Sequence, residues 1–266
     1  MCYDDNARPP LPPGVAGQAH GEDIVLEAAD GNHFAAYVAR PATPGGAQMI
    51  IYPDVRGLHQ FYKELALRFA EVGITALALD YFGRTAGLSA RDESFDFWPH
   101  VQQIQLETFF ADVASALAYL RAGAGAERAN FTVGFCMGGT LSFISGTKDF
   151  GWAGVIGFYA GMSRNIGGAG TLLEQADRVK YPALGLFGGA DQGISASDVH
   201  TFDEQLGKAG VQKEIVIYPG APHSFFDRRA VEYAEASADS WQRVLGFIAA
   251  HRVPRQDAPG LSRGEE

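Results

Sequence analysis

The chain carries only two cysteines in 266 residues, Cys2 and Cys136, and one of them sits beside the N-terminus. A disulfide framework is therefore excluded as the basis of its fold. Positive charge is also scarce: 21 Lys and Arg stand against 31 Asp and Glu, a formal charge of −10 at pH 7. With no basic cluster to neutralise phosphates, nucleic acid is not an expected partner. No apolar run reaches the roughly 18 residues that a membrane span requires, so no membrane association is expected. The opening stretch MCYDDNARPPLPPG has neither the basic region nor the apolar core of a signal peptide. Metal-binding patterns such as H-E-x-x-H or paired Cys/His are missing, as are the P-loop and the G-x-G-x-x-G fingerprint. The expectation left by these absences is a soluble cytoplasmic protein that uses no metal and no cofactor.

What is present is a core. Hydrophobic residues make up 47% of the chain, and a chain of this length buries most of its apolar surface without staples. Residues 1–20, rich in Pro, Gly and Ala, predict a surface arm; 21–252 predict one domain, and 253–266 a C-terminal tail. EDIVLEAADGNHFAAYVAR reads as two strands turning at Asp30-Gly31. AQMIIYP (47–53), GITALALDYF (73–82), NFTVGF (130–135), AGVIGFY (153–159), YPALGLFGG (181–189) and QKEIVIYPG (212–220) are short apolar runs, as buried parallel strands are. Between them runs a helical period: Phe61, Leu65, Phe69 and Val72, then Leu106, Phe109, Phe110, Val113, Leu117 and Leu120. GGTLSFISG, residues 195–209 and residues 229–251 read as further helices, the last with Trp241, Val244, Leu245 and Ile248 inward. Strands alternating with helices imply an α/β fold, with a mostly parallel central sheet and helices on both faces.

In such sheets the ligand site lies beyond the carboxyl ends of the strands. The residues standing there are Asp54-Val55-Arg56-Gly57, Gly83-Arg84, Cys136, Asp191 and His223. Gly134-Phe135-Cys136-Met137-Gly138 matches the G-x-S-x-G nucleophile elbow with Cys in place of Ser. A helix starts immediately after it, so its N-terminal dipole favours thiolate over thiol, and the Met137 N–H points where an oxyanion would form. A glycine-flanked cysteine is by itself equally compatible with an inert core thiol. Its partners decide. Asp191 follows by 55 residues and His223 by 32 more, each just past a predicted strand, in the chain order nucleophile, acid, base. A lone Asp before a helix is usually an N-cap, and a lone His in a turn usually faces water. Order and strand-end placement together favour a triad, with His223 as general base to Cys136 and Asp191 fixing its tautomer.

With those residues in place the chain resembles the dienelactone hydrolase family of α/β-hydrolases, over about residues 20–250. The marks are PDVRG, DYFGR, GFCMGG, GGADQ and PGAPHSFF. The resemblance implies a monomeric, cofactor-free enzyme that hydrolyses lactones or esters bearing a carboxylate, in aromatic degradation. It also implies that Val55 N–H joins Met137 N–H in the oxyanion hole. Asp54 takes the place of an acidic residue, usually glutamate, that modulates the resting thiol, and Arg84 that of an arginine binding the substrate carboxylate. The chain departs from the pattern in three places. Asp54 is one methylene shorter than glutamate. Asp227 stands where a second carboxylate-binding arginine can occur; either Arg228 substitutes from one position later or the pocket is less anion-selective. Arg56, extra to the usual apolar motif, points either into the pocket or out to solvent. The irregular stretch 85–99, with Arg91, Phe95, Phe97 and Trp98, either lines the entrance or packs as aromatics under a loop.

A glutamine amidotransferase also places a cysteine in G-x-C-x-G, but expects its acid two residues after the histidine, where Phe225 stands. A binding protein on a hydrolase scaffold would lack a triad member, and none is missing. A general carboxylesterase, thioesterase or peptidase-like enzyme on the same scaffold stays open as the alternative.

Overall fold

The computed structural model describes residues 6–14 and 17–252; Cys2 and the expected tail at 253–266 lie outside them. Eight strands form one sheet: β1 (Ala19–Glu27), β2 (His33–Pro41), β3 (Ala47–Tyr52), β4 (Thr75–Leu79), β5 (Ala129–Phe135), β6 (Gly154–Phe158), β7 (Ala183–Gly188) and β8 (Lys213–Tyr218). Their spatial order is β1-β2-β4-β3-β5-β6-β7-β8. β1 pairs with β2, and β2 with β4, antiparallel; every pairing from β4 across to β8 is parallel. Burial follows the topology. β3, β4, β6 and β7 are buried along their whole length, whereas β1, at an edge, alternates and exposes half its residues. The mostly parallel α/β sheet expected from the alternating pattern is what the chain forms.

The described residues form eight α-helices: α1 (Gln60–Glu71), α2 (Gly83–Ala86), α3 (Trp98–Val101), α4 (Leu106–Leu120), α5 (Met137–Ser145), α6 (Leu172–Gln175), α7 (Ala196–Lys208) and α8 (Ala234–His251). β6 shows how they divide between faces. A side chain at Gly154 would strike the Phe247 ring of α8, and one at Gly157 the Phe143 ring of α5. Three residues apart on a strand means opposite faces, so α8 and α5 flank the sheet from the two sides. α1 joins α8 through Phe69 and Trp241, whose rings lie 4.8 Å apart, and α7 joins α5 through Phe202 and Phe143 at the same distance. The Trp241 indole N–H also donates to Pro10 O, which fastens the N-terminal segment to α8. α8 starts later than the period predicts, because residues 224–233 turn first, from a positive φ at Ser224.

One buried carboxylate organises the ends of three segments. Asp80, the residue after β4, accepts the backbone N–H of Leu58 and of Phe82, both at 3.0 Å. Arg91 closes on it with Nε and Nη2 at 3.2 and 2.9 Å, and both side chains are buried. Arg91 spends its remaining donors on Ser89 O, Ser89 Oγ and Gly87 O, so it folds the 85–99 stretch around itself. Gly57 is required beside this group. It adopts φ +79°, and a Cβ there would lie 2.4 Å from Asp80 Oδ1. Removing one partner of a buried, hydrogen-bonded ion pair strands the other charge. Arg91→Met should therefore lower the unfolding free energy by about 3–5 kcal/mol in urea titration. A loss below about 1 kcal/mol, the range of an exposed pair, would show that Asp80 does not need it.

Candidate active site

Cys136 stands between β5 and α5 with φ 55° and ψ −117°, a conformation that a residue with a side chain adopts only under constraint. The constraint is backbone crowding on both sides. A Cβ at Gly134 would lie 1.9 Å from Gly138 O, and one at Gly138 would lie 2.1 Å from Tyr52 O. Only glycines let the turn close this tightly, which accounts for their spacing around the cysteine. The Cys136 N–H donates to Phe158 O at 3.1 Å and its carbonyl accepts from Thr140 N at 3.2 Å, tying the elbow to β6 and to the first turn of α5. Met137 opens α5, so its N–H has no acceptor within the helix.

Asp191, past β7, and His223, past β8, meet as the spacing predicts. His223 Nδ1 and Asp191 Oδ2 are 2.6 Å apart, with the aspartate side chain 2% exposed and the histidine 28%. A second Asp191 oxygen accepts the Gly193 N–H at 2.8 Å, which fixes the carboxylate plane. The His223 ring lies against Tyr159, centroids 4.9 Å apart, and the Tyr159 hydroxyl donates to buried Asp227 at 2.7 Å. His223 and Cys136 line one cavity of about 410 Å³, together with Val55, Met137 and a wall of Phe97, Trp98, Met162, Ile166 and Ile194. Five of the expected residues thus come together at one place: Cys136, Asp191, His223, Val55 and Met137.

A model of the dienelactone hydrolase family matches residues 34–252. The chain belongs to the dienelactone hydrolase family. Membership makes it a hydrolase of ester or lactone bonds on the α/β-hydrolase fold. It is 27% identical to the carboxymethylenebutenolidase of Pseudomonas putida over 238 residues, covering 86% of this chain and 96% of that one. It is 28% identical over 234 residues to a Methylorubrum extorquens protein named "Putative carboxymethylenebutenolidase", covering 82% of this chain and 77% of the other. Among solved structures, a Klebsiella pneumoniae protein described as "Putative Dienelactone Hydrolase" superposes with a TM-score of 0.77 at 25% identity, over 88% of this chain and 99% of its own.

The residues that family resemblance assigns to substrate and thiol are not among those lining the cavity. Arg84 does not line the cavity. Its guanidinium donates to Asp30 at 2.6 and 3.2 Å, to Asp112 at 2.7 and 3.3 Å, and to Thr108 O. α2 carries it outward, where it ties the β1–β2 turn to α4. Arg84 holds the exposed Asp30 carboxyl below its ordinary range, whereas at Asp112 burial prevails and pushes the carboxyl up against the same cation. Arg228 is exposed on the turn after His223 and likewise off the cavity. Asp54 is not among the residues lining the cavity either: its Oδ1 accepts the Arg56 N–H at 2.9 Å and faces His59 Nε2 at 3.6 Å. His59, buried beside it, is a neighbour that the strand-end rule did not find. The Asp54 N–H donates to the Tyr62 hydroxyl, whose own ionisation is pushed well up by burial first and by the Asp54 charge second.

Arg56 is buried and lays its guanidinium over Phe97, 5.0 Å from the ring centroid. The 85–99 stretch turns out to do both things considered for it. Phe95 packs on Phe82, His100 and Arg91, while Phe97 and Trp98 face the cavity. The charged side chain that does line the cavity is Arg164, from the Gly-rich loop after β6, which the sequence reading passed over. From this placement, Arg84→Met should destabilise the fold by about 1–3 kcal/mol, since Asp112 loses its charged partner. The ratio of kcat/KM for a carboxylated ester to that for its neutral counterpart should stay within twofold of wild type. A selective rise in KM for the carboxylated ester would return Arg84 to the substrate.

Proposed function

We propose that the protein hydrolyses a lactone or ester through a Cys136–Asp191–His223 triad and an acyl-thioester. The observation that carries the reading is the 2.6 Å contact of His223 Nδ1 with buried Asp191, in a cavity floored by a cysteine on a positive-φ elbow. Asp191 keeps the Nδ1 proton in place and leaves Nε2 as the base. His223 removes the Sγ proton, and the α5 dipole favours the thiolate so formed. Sulfur attacks the carbonyl carbon, and the carbonyl π pair moves to oxygen, which accepts the Val55 and Met137 N–H groups. As the tetrahedral species collapses, the C–O bond to the leaving alkoxide breaks and His223 returns its proton. In a lactone that alcohol stays attached to the acyl group. His223 then deprotonates water, which adds to the thioester, and the acid departs as the thiol is reprotonated.

The name carboxymethylenebutenolidase, borne by the relatives, supports a butenolide-type lactone as the substrate, and the cavity's size suits a small molecule. A neutral ester or thioester is the second reading, and one observation favours it: Arg84 and Arg228 stand off a cavity whose walls are mostly apolar. The proposal carries with it a monomer acting in the cytoplasm on intermediates of aromatic degradation.

The nucleophile is tested directly. Iodoacetamide should label Cys136 far faster than Cys2 and abolish hydrolysis. Cys136→Ala should lower kcat/KM by about 10⁴-fold or more, and Cys136→Ser should keep only weak activity, since the site favours a thiolate and not an alkoxide. In His223→Ala, mass spectrometry after ester addition should find the acyl group on the Cys136 peptide. Full turnover by the alkylated protein would remove Cys136 from the mechanism.

A further inference from the structure

Arg164 is the one permanently charged side chain among the residues that line the Cys136 cavity. Its guanidinium lies over the indole of Trp98, 5.0 Å from the ring centroid. Among the described residues no carboxylate is within ion-pair distance of it, unlike Arg84 and Arg91, each locked to aspartate. A cation–π contact uses none of the guanidinium's N–H donors in hydrogen bonds, and a guanidinium fork can grip a carboxylate through two bonds. The backbone beneath is fixed. Thr140 Oγ1 donates to Gly161 O at 2.7 Å, and Met162 and Ile166 are buried on either side. Trp98, Arg164 and Ile166 also line a second cavity, of about 550 Å³, so the cation stands at the wall between two spaces. Most of the lining that Cys136 and Arg164 share is apolar, Val55, Met162, Ile166 and Ile194 included.

We propose that Arg164, seated on Trp98, is the specificity-determining residue that binds a carboxylate at the far end of the substrate, away from the scissile carbonyl. This rests on the reading of the cavity as an ester- or lactone-cleaving site. The substrate class it selects is an ester or lactone whose apolar body spans the cavity floor to mouth, with its anionic end at the rim. Recognition at the rim is partly solvent-exposed, so it should weaken with ionic strength.

Two measurements test it. The first compares monophenyl hexanedioate with phenyl hexanoate, which differ in the terminal carboxylate. Arg164→Ala should lower kcat/KM about tenfold or more for the charged ester, chiefly through KM, and less than twofold for the neutral one. Arg164→Lys should restore part of the difference, and 0.5 M NaCl should erode the wild-type preference. Parallel losses on both esters would reduce Arg164 to a prop for Trp98 and overturn the proposal, as would an unchanged ratio. The second is calorimetric binding of hexanedioate, which needs no turnover. Its Kd should weaken about tenfold in Arg164→Ala. Equal binding to both proteins, or none to either, overturns the carboxylate site whatever the kinetics. Arg164-dependent binding without cleavage of any ester would instead leave this site standing and overturn the hydrolytic reading.

Discussion

The Asp80 carboxylate holds the active-site end of the molecule together. It is buried, and a buried charge is tolerated only where donors surround it. Here they come from three separate stretches: Leu58 N–H from the β3–α1 loop, Phe82 N–H from the turn into α2, and the Arg91 fork from the 85–99 segment. The loop carrying Leu58 also carries Val55, and the segment carrying Arg91 also carries Phe97 and Trp98. One carboxylate therefore sets the spacing between an expected oxyanion donor and the aromatic wall opposite. Gly57 belongs to the same group, since any side chain there would occupy the space of Asp80 Oδ1. The PDVRG and DYFGR motifs, far apart in sequence, are two halves of this one contact.

The elbow depends on backbone crowding in place of charge. Cys136 sits in left-handed backbone because β5 must turn into α5 within one residue, and Gly134 and Gly138 make the approach possible. Such strain persists only where neighbours over-determine it. They do: Cys136 N–H is spent on Phe158 O, and α5 is buried along its length. The thiol is thereby held at a fixed height above the sheet, at the positive end of a helix.

What was legible in the sequence divides along the same line. Strand ends in a parallel sheet are fixed by the ladder, so the rule that ligands gather there picked out Cys136, Asp191, His223 and the segment carrying Val55. The elbow motif added Met137, and the family resemblance gave Val55 its expected role. Side-chain direction beyond the backbone is another matter. Arg84 follows β4 as its motif implies, yet its long side chain goes to Asp30 and Asp112, 54 and 28 residues away in sequence, and no local pattern announces that pairing. Asp54 likewise turns to its own loop, accepting the Arg56 N–H in a local turn that a shorter acid reaches easily. Arg164 was accessible to the rule but missed, because the end of β6 was not among the strand ends searched. Its approach to Trp98 was not accessible, since it depends on how the 85–99 segment folds around Arg91.

Floor and mouth of the cavity are consequently built from different physics. The floor is backbone, set by register and by strained or satisfied hydrogen bonds. The mouth is Phe97, Trp98 and Arg164, the outer members of three arginine–aromatic pairs: Arg91 on Phe95 at 4.6 Å, Arg56 on Phe97 and Arg164 on Trp98, both at 5.0 Å. They form a gradient of commitment. Arg91 is buried and bidentate to Asp80; Arg56 is buried and reaches Glu93 O; Arg164 is exposed. A cation–π contact in water is worth only about 0.5–1 kcal/mol. The outermost pair is therefore held only weakly by its stacking, while the inner two stay anchored to Asp80 and Glu93 O. On the proposed reading, catalytic geometry and substrate choice are separable, because backbone holds Cys136 in place while side-chain stacking holds Trp98 and Arg164.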